Sequence, residues 1–341
     1  MNPNPASAVT DARANAALAN AAARNAAVAN AVARNAAVAR TAAVTNKDLL
    51  APDTAMAAVT LHVGDLDGMT AYYRDVLALN VLDLPAPTVG ILPAHPTATV
   101  TLGRGTTPLV VLRHTPDLPA PRRGQAGLFH TAILFDDEPG LAATVASIAA
   151  HAPGTYAGSA DHLVSKAFYF TDPEGNGIEL YWDRSRDLWG WQNGQVTMDS
   201  LPLDPNEFLR EHLTDVALEH PDATGAVVGH VHLQVGDVPT AREFYVDALG
   251  FEATAQFHGA LFVSAGGYHH HLAVNTWNSA GAGPRASALG LGEVSIQVPT
   301  ADDVAALTAR LARHGVAVRD DGAMLSFEDP WRNLLKVTVE H

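Results

Sequence analysis

Apolar and polar residues alternate in several short runs along this chain, and such alternation predicts half-buried β-strands. One run spans residues 58–65 and another spans 230–237, and both end in Gly-Asp. Each is followed by an amphipathic stretch, at 66–79 and at 238–251, that predicts a helix. The two segments align without gaps about 170 residues apart, which indicates a tandem duplication.

Each half of the duplication contains a second, weaker copy of the same pattern. Strand-like runs at 128–135 and 292–298 precede helical stretches, and the copies end in matching segments at 170–180 and 327–337. The Asp-Pro of these segments is a turn signal between two strands. The folded part is therefore predicted to be α+β, with four βαβββ modules.

The four modules divide the chain into two domains and a connector. The modules are expected at 56–115, 126–184, 228–280 and 290–341. We assign residues 51–184 to an N-terminal domain with modules one and two, 227–341 to a C-terminal domain with modules three and four, and 185–226 to an ordered connector.

Residues 1–50 have a different composition from the rest of the chain. Alanine dominates, and asparagine recurs every fifth residue from Asn15 to Asn35. A five-residue period matches neither the α-helix nor the heptad, so it forms no apolar stripe. Serine is nearly absent and no apolar signal-peptide core is present, which argues against a targeting segment. We expect a disordered low-complexity tail.

Composition excludes several classes of function. The formal net charge of −15, without a basic patch, argues against a nucleic-acid-binding protein. The absence of cysteine excludes disulfides, thiolate-bound metal clusters and cysteine nucleophiles. No run approaches the roughly 20 apolar residues that a membrane span needs. We expect a cytoplasmic protein without a nucleic-acid or membrane partner, and a homo-oligomer is compatible with the sequence.

Four segments are similar to a known family. The strings at 127–134, 161–165, 169–181 and 266–277 resemble the catechol 2,3-dioxygenase-type branch of the vicinal-oxygen-chelate superfamily. That superfamily includes glyoxalase I, fosfomycin-resistance proteins and extradiol ring-cleavage dioxygenases. The resemblance covers about 56–341. It implies that the modules pair into two cup-shaped half-barrels, the glyoxalase/extradiol dioxygenase fold, and that the protein is a metal-dependent enzyme.

The resemblance also implies a metal site. Family members place ligands on the first strands of two paired modules and on the last strand of one. In modules two and three these positions are His130, Glu179 and His230, whereas module one has Ala58 at the position of His230. Two histidines and one carboxylate leave coordination positions open, which suits non-haem Fe(II). Mn(II) is the alternative metal.

The distribution of ligand-type residues predicts how the modules pair. Module four has Glu293 where module two has His130, and Lys336 where module two has Glu179. A protonated lysine cannot bind a divalent cation. We therefore expect modules two and three to pair across the two halves into one catalytic cup. Modules one and four would then pair into a second, non-catalytic cup.

Three further residues match positions that act on the substrate in the family. By this resemblance His270, within the strand-like run 268–271, matches the acid/base histidine of the family. An imidazole can take up and return a proton near neutral pH. Tyr169 matches the tyrosine that binds the ring oxygens, and His162 is expected in the same pocket. The alternatives are a histidine cluster at a strand edge and a tyrosine packed with its hydroxyl at the surface.

The resemblance thus implies an oxidoreductase of aromatic-compound catabolism that opens a small aromatic diol with O2 beside its hydroxyls. A hydroquinone cleaver is a close variant. Two other classes remain open, namely a glyoxalase-like metal-dependent lyase or isomerase, which would need a fourth protein ligand, and a metal-free small-molecule-binding protein. Nucleotide-binding glycine loops and the Gly-x-Ser-x-Gly motif of hydrolases are absent from the sequence.

Overall fold

The computed structural model describes residues 48–83 and 97–340. The tail expected at 1–50 therefore lies outside the described residues, except for its last three positions. Leu50 is buried, and its backbone N–H donates to the carbonyl of Gly250 at 2.8 Å. The packed part of the chain thus includes the end of the segment assigned to the tail.

The first half of the chain contains two modules with the expected βαβββ order. Module one consists of β1 (Ala55–Val63), α1 (Leu66–Ala71) with a π-helical turn (Tyr72–Val76), β2 (Asn80–Leu82), β3 (Thr99–Arg104) and β4 (Thr107–His114). Module two consists of β5 (Gly127–Phe135), α2 (Glu138–His151), β6 (Tyr156–Asp161), β7 (Ser165–Thr171) and β8 (Gly177–Asp183).

The connector is ordered and contains short elements. They are β9 (Trp191–Gln192), β10 (Gln195–Val196), β11 (Leu201–Pro202), α3 (Pro205–His212) and α4 (Asp215–Glu219). Trp189 is buried beside Val164 and Tyr268, so the connector packs against both halves.

The second half repeats the βαβββ order twice. Module three consists of β12 (Ala226–Gln234), α5 (Val238–Arg242) with a π-helical turn (Glu243–Ala248), β13 (Glu252–Phe257), β14 (Ala260–Ser264) and β15 (Leu272–Asn275). Module four consists of β16 (Gly290–Val298), α6 (Ala301–Arg313), β17 (Val318–Asp320), β18 (Met324–Glu328) and β19 (Leu334–Val339). Within the described ranges, no helix is long and apolar enough to cross a membrane.

The modules form two open sheets, and each sheet combines one module from each half. Modules two and three form a nine-stranded sheet in the order β11-β6-β7-β8-β5-β12-β15-β14-β13. Modules one and four form an eight-stranded sheet in the order β17-β18-β19-β16-β1-β4-β3-β2. The antiparallel pairs β5–β12 and β1–β16 make the two junctions. The pairing of modules across the halves is therefore as predicted from the ligand positions.

Alternation of side chains along β5 and β12 separates a core face from a cup face. On β5, Ile133 and Phe135 belong to the main hydrophobic core, whereas His130 and Ala132 lie on the opposite face. On β12, Val231 likewise faces the core. Because side chains alternate along a strand, every second residue of these strands is available to line a cup.

Buried hydrogen bonds tie together the two modules of each half. The hydroxyl of Tyr73 in module one donates to Asp172 of module two at 3.0 Å. The hydroxyl of Tyr245 in module three donates to Asp329 of module four at 2.8 Å. Both aspartates begin the Asp-Pro turns that the sequence marked. These hydrogen bonds thus connect the two modules within each half, and the two sheets connect one half to the other.

Candidate active site

Three neighbouring strands of the nine-stranded sheet bring the predicted metal ligands together. Glu179 lies on β8, His130 on β5 and His230 on β12. Ala132 is paired with Glu179 on one side and with His230 on the other, and His130 precedes it by two residues. Residues two apart share a face, so the three side chains converge above the small methyl group of Ala132.

The ligand-type atoms of this cluster are close and buried. Glu179 Oε2 lies 2.9 Å from His130 Nε2 and 3.1 Å from His230 Nε2. The candidate ligand atoms all lie within 4.8 Å of one another. His130, Glu179 and His230 are 6%, 3% and 2% exposed. In the part of the chain that the structure describes, no other group of His, Cys, Asp or Glu side chains has this geometry.

The protonation states of the cluster suit a cation. Burial alone would raise the pKa of the Glu179 carboxyl, but His230 and His130 together hold this pKa well below its usual range. Glu179 is therefore an anion. Burial lowers the pKa of His230 to about 4, with Glu179 opposing part of the shift. The imidazole of His230 is therefore neutral at physiological pH, the form in which a histidine binds a metal ion.

One orphaned atom supports the fit of a metal ion. His130 Nε2 is buried and makes no aligned hydrogen bond, although the Glu179 oxygen is only 2.9 Å away. An unsatisfied buried polar group costs roughly 1–3 kcal/mol. A divalent cation bound to the nitrogen lone pair would remove that cost, and two histidines with one carboxylate are a known donor set for Fe(II). The three residues therefore fit the implied metal.

Two predicted pocket residues form a hydrogen-bonded pair on the β7 side of the cluster. His162 Nδ1 lies 2.7 Å from the carbonyl of Asp199, so this nitrogen donates. His162 Nε2 then accepts from the hydroxyl of Tyr169 at 2.6 Å. The ring of Tyr169 is centred 5.7 Å from that of His130. Burial, followed by the charge of Glu179, raises the pKa of Tyr169 well above its usual value.

His270 lies on the opposite side of the cluster, beyond β12. Its ring is centred 4.1 Å from that of His230 and 5.0 Å from that of Phe262. Burial, reinforced by His230 and further neighbouring histidines, lowers the pKa of His270 well below its usual value. A neutral imidazole therefore faces the predicted metal ligands from one side, and the Tyr169–His162 pair faces them from the other.

The structure corrects one local prediction. The run 268–271 was expected to be a regular strand, but β15 begins only at Leu272 and the preceding residues form an irregular bend. The three consecutive histidines 269–271 are all buried, and Nδ1 of His269 lies 2.8 Å from Nδ1 of His270, a contact that neighbouring side chains on opposite faces of a regular strand do not make. His271 Nδ1 accepts from the backbone N–H of Ala265 at 3.2 Å.

Two further groups lie near the cluster, and of these only Asp183 was not singled out from the sequence. His232 is paired with His130 in the sheet, and its Nε2 accepts from the Asn275 side chain at 2.9 Å. Asp183 contacts the histidine bend from β8. Position does provide a signal for Asp183, because it follows Glu179 by four residues and so shares its strand face.

Gly229 on β12 leaves room for the side chain of Tyr181, which extends from β8 across β5 next to the cluster. A Cβ added at Gly229 would lie 1.8 Å from the Tyr181 hydroxyl oxygen. We expect Gly229→Ala to displace Tyr181 or the adjacent His230 and to destabilise the protein by about 1–3 kcal/mol, the usual cost of overpacking. Urea unfolding and bound-metal content would measure both effects. Gly283→Ala, where no atom lies within 4 Å of the added Cβ, is the control. Equal stability of the two variants would contradict the prediction.

Comparison with known proteins agrees with this architecture. The family model of the glyoxalase/bleomycin resistance protein/dioxygenase superfamily matches residues 55–180 and 227–337. A catechol-2,3-dioxygenase of Bacillus subtilis (strain 168) is 32% identical over 283 residues, which are 82% of this chain and 94% of the relative.

Solved structures share the fold at low sequence identity. A Bacillus subtilis protein provisionally described as a dioxygenase matches with a TM-score of 0.56 and 13% identity over 84% of both chains. Glyoxalase I from Zea mays matches with a TM-score of 0.51 and 16% identity over 84% of this chain and 92% of its own. The sequence match and the two-sheet fold agree, and the chain belongs to the glyoxalase/bleomycin resistance protein/dioxygenase superfamily.

Proposed function

We propose that this protein is an extradiol ring-cleavage dioxygenase that acts with O2 on a small catechol-type diol. The observation that carries the proposal is the buried cluster of His130, Glu179 and His230, which would hold Fe(II), or Mn(II) as the alternative. The identity with a catechol-2,3-dioxygenase supports the same reaction class.

The side chains around the cluster have complementary roles in this proposal. Fe(II) bound there would supply the redox chemistry for O2 and the template that orients both reactants. His270, neutral because it is buried, accepts a proton from one diol hydroxyl. Tyr169, held by His162, forms a hydrogen bond with a ring oxygen on the other side. Burial of the ligands excludes water from the reacting groups.

The composition of the cluster favours ring cleavage over lyase or isomerase chemistry. Three ligand-type residues converge among the described parts of the chain, whereas a glyoxalase-like reaction would need a fourth protein ligand. The adjacent His232 is engaged instead through Nε2 with Asn275. Two histidines and one carboxylate leave positions for both a diol and O2.

Oxygen uptake tests the proposal directly. Protein reconstituted anaerobically with Fe(II), and in parallel with Mn(II), is given a panel of catechols and hydroquinones. We expect uptake on catechols with a yellow ring-fission product, and loss of both in Glu179→Ala. Glu252→Ala, which changes an exposed glutamate on β13 of the same sheet, should keep full activity.

Two outcomes would overturn the proposal in different directions. If the protein holds one metal per chain and consumes no oxygen with any diol, the dioxygenase assignment fails and the lyase or isomerase class is favoured. If the purified protein neither contains nor takes up a divalent metal, the cluster is not a metal site and a metal-free binding protein is favoured.

A further inference from the structure

A continuous series of hydrogen bonds connects Asp183 on β8 to His270, the candidate acid/base residue. Asp183 Oδ1 lies 2.9 Å from His269 Nε2. His269 Nδ1 lies 2.8 Å from His270 Nδ1. The carboxylate belongs to module two and the two histidines belong to module three. These hydrogen bonds therefore form only because the two modules share a sheet.

The second oxygen of the carboxylate is also engaged. The hydroxyl of Tyr268 donates to Asp183 Oδ2 at 2.7 Å, and the hydroxyl oxygens of Tyr181 and Tyr268 are 2.7 Å apart. The side chain of His269 is only 1% exposed and that of Asp183 is 16% exposed. The carboxylate is thus held on both oxygens, which fixes its orientation toward His269.

The direction of each hydrogen bond follows from the chemistry of the groups. An ionised carboxylate only accepts, so His269 must donate from Nε2. A neutral imidazole carries one N–H, so His269 Nδ1 accepts and His270 donates from Nδ1. Nε2 of His270, on the far edge of the ring, then carries no hydrogen and has a free lone pair.

We propose that Asp183 and His269 are positioning residues that hold His270 in the tautomer whose Nε2 is a proton acceptor. The catalytic consequence rests on the proposed function, because His270 needs a free lone pair to take a proton from a diol hydroxyl. The tautomer itself does not depend on the substrate. Asp183 acts through His269 and touches neither the metal ligands nor the reacting atoms in this role.

The kinetic test is Asp183→Asn in the Fe(II)-reconstituted protein. The asparagine amide can donate to His269 Nε2, which reverses both bonds and places the proton of His270 on Nε2. We expect kcat to fall by roughly 10²–10⁴-fold, the usual contribution of a positioned general base, with bound metal and KM little changed. Tyr268→Phe removes one donor but leaves the acceptor-only carboxylate, so it should cause only a small part of that loss.

A spectroscopic test reads the tautomer without turnover. Two-dimensional ¹H–¹⁵N spectra of protein loaded with diamagnetic Zn(II) report which ring nitrogen of each histidine carries hydrogen, and His270→Gln assigns the signals. We expect the His270 proton on Nδ1 in the wild type and on Nε2 in Asp183→Asn. A wild-type proton on Nε2, or the same tautomer in both proteins, would overturn the inference. If the tautomers are as expected but no diol is consumed, the proposed function fails alone.

Discussion

Replacing His230 with alanine should remove the bound metal as completely as replacing His130, although the two residues belong to different halves of the chain. Nε2 of His130 and Nε2 of His230 both lie about 3 Å from the same oxygen of Glu179, so a single ion could contact all three side chains. Loss of a residue that supports a ligand usually lowers metal affinity by roughly 10–100-fold, and loss of one ligand from a set of three should lower it further. Oxygen uptake should fall to background in both variants.

Metal analysis after gel filtration measures this effect independently of activity. His62→Ala is the matched control, because His62 lies on β1, the strand of the second sheet that corresponds to β12. That variant should keep its metal and its oxygen uptake. A His230→Ala protein that still binds one metal per chain would show that the ligands do not come from both halves.

Replacing Lys336 with methionine should destabilise the protein by about 3 kcal/mol. Lys336 Nζ lies 2.7 Å from Glu293 Oε2, and the two side chains are 15% and 9% exposed. Removing one partner of a buried ion pair leaves an uncompensated charge and costs about 3–5 kcal/mol. We expect the lower end of this range, because Arg113 lies 3.7 Å from Glu293 and Thr60 donates to it at 3.1 Å.

The double variant Lys336→Met with Glu293→Leu should recover most of that loss, since replacing both ions of a buried pair with apolar residues is often close to neutral. Urea unfolding measures the free energy of unfolding of both proteins. The candidate metal cluster lies in the other sheet, so the metal content should stay the same in each variant. A single variant as stable as the wild type, or a double variant no more stable than the single one, would contradict the prediction.

Equivalent positions in the two sheets have the same strand register but different side chains. Glu179 is paired with Ala132, two residues after His130. Lys336 is paired in the same way with Ser295, two residues after Glu293. One sheet thus places a carboxylate and an imidazole at these positions, whereas the other places an ion pair there. The strand geometry is common to both sheets, and only the side chains at these positions differ.

The four modules and their pairing could be predicted from the sequence. Alternating strands, the two Gly-Asp turns and the Asp-Pro turns mark local structure, which depends mainly on nearby residues. The cross-half pairing followed from the ligand-type residues, since His130 and Glu179 need a third ligand that module three offers at His230. The β5–β12 junction confirms this pairing. The catalytic roles of His270, Tyr169 and His162 remain predictions.

The contacts around His270 could not be predicted in this way. The bend at 268–271 was expected to be a regular strand, which would have turned His269 away from its neighbour. In the structure His269 is buried between Asp183 and His270. The contact of His232 with Asn275 likewise joins two strands of module three that no local pattern pairs.

The sequence by itself determined the modules, their duplication and the candidate metal ligands, because periodicity and residue chemistry are local properties of the chain. Only the tertiary structure decided which groups touch across the β8–β5–β12 junction and that His269 lies between Asp183 and His270. Those features depend on strand register and on side-chain orientation in an irregular bend, and both arise from packing between segments far apart in the chain.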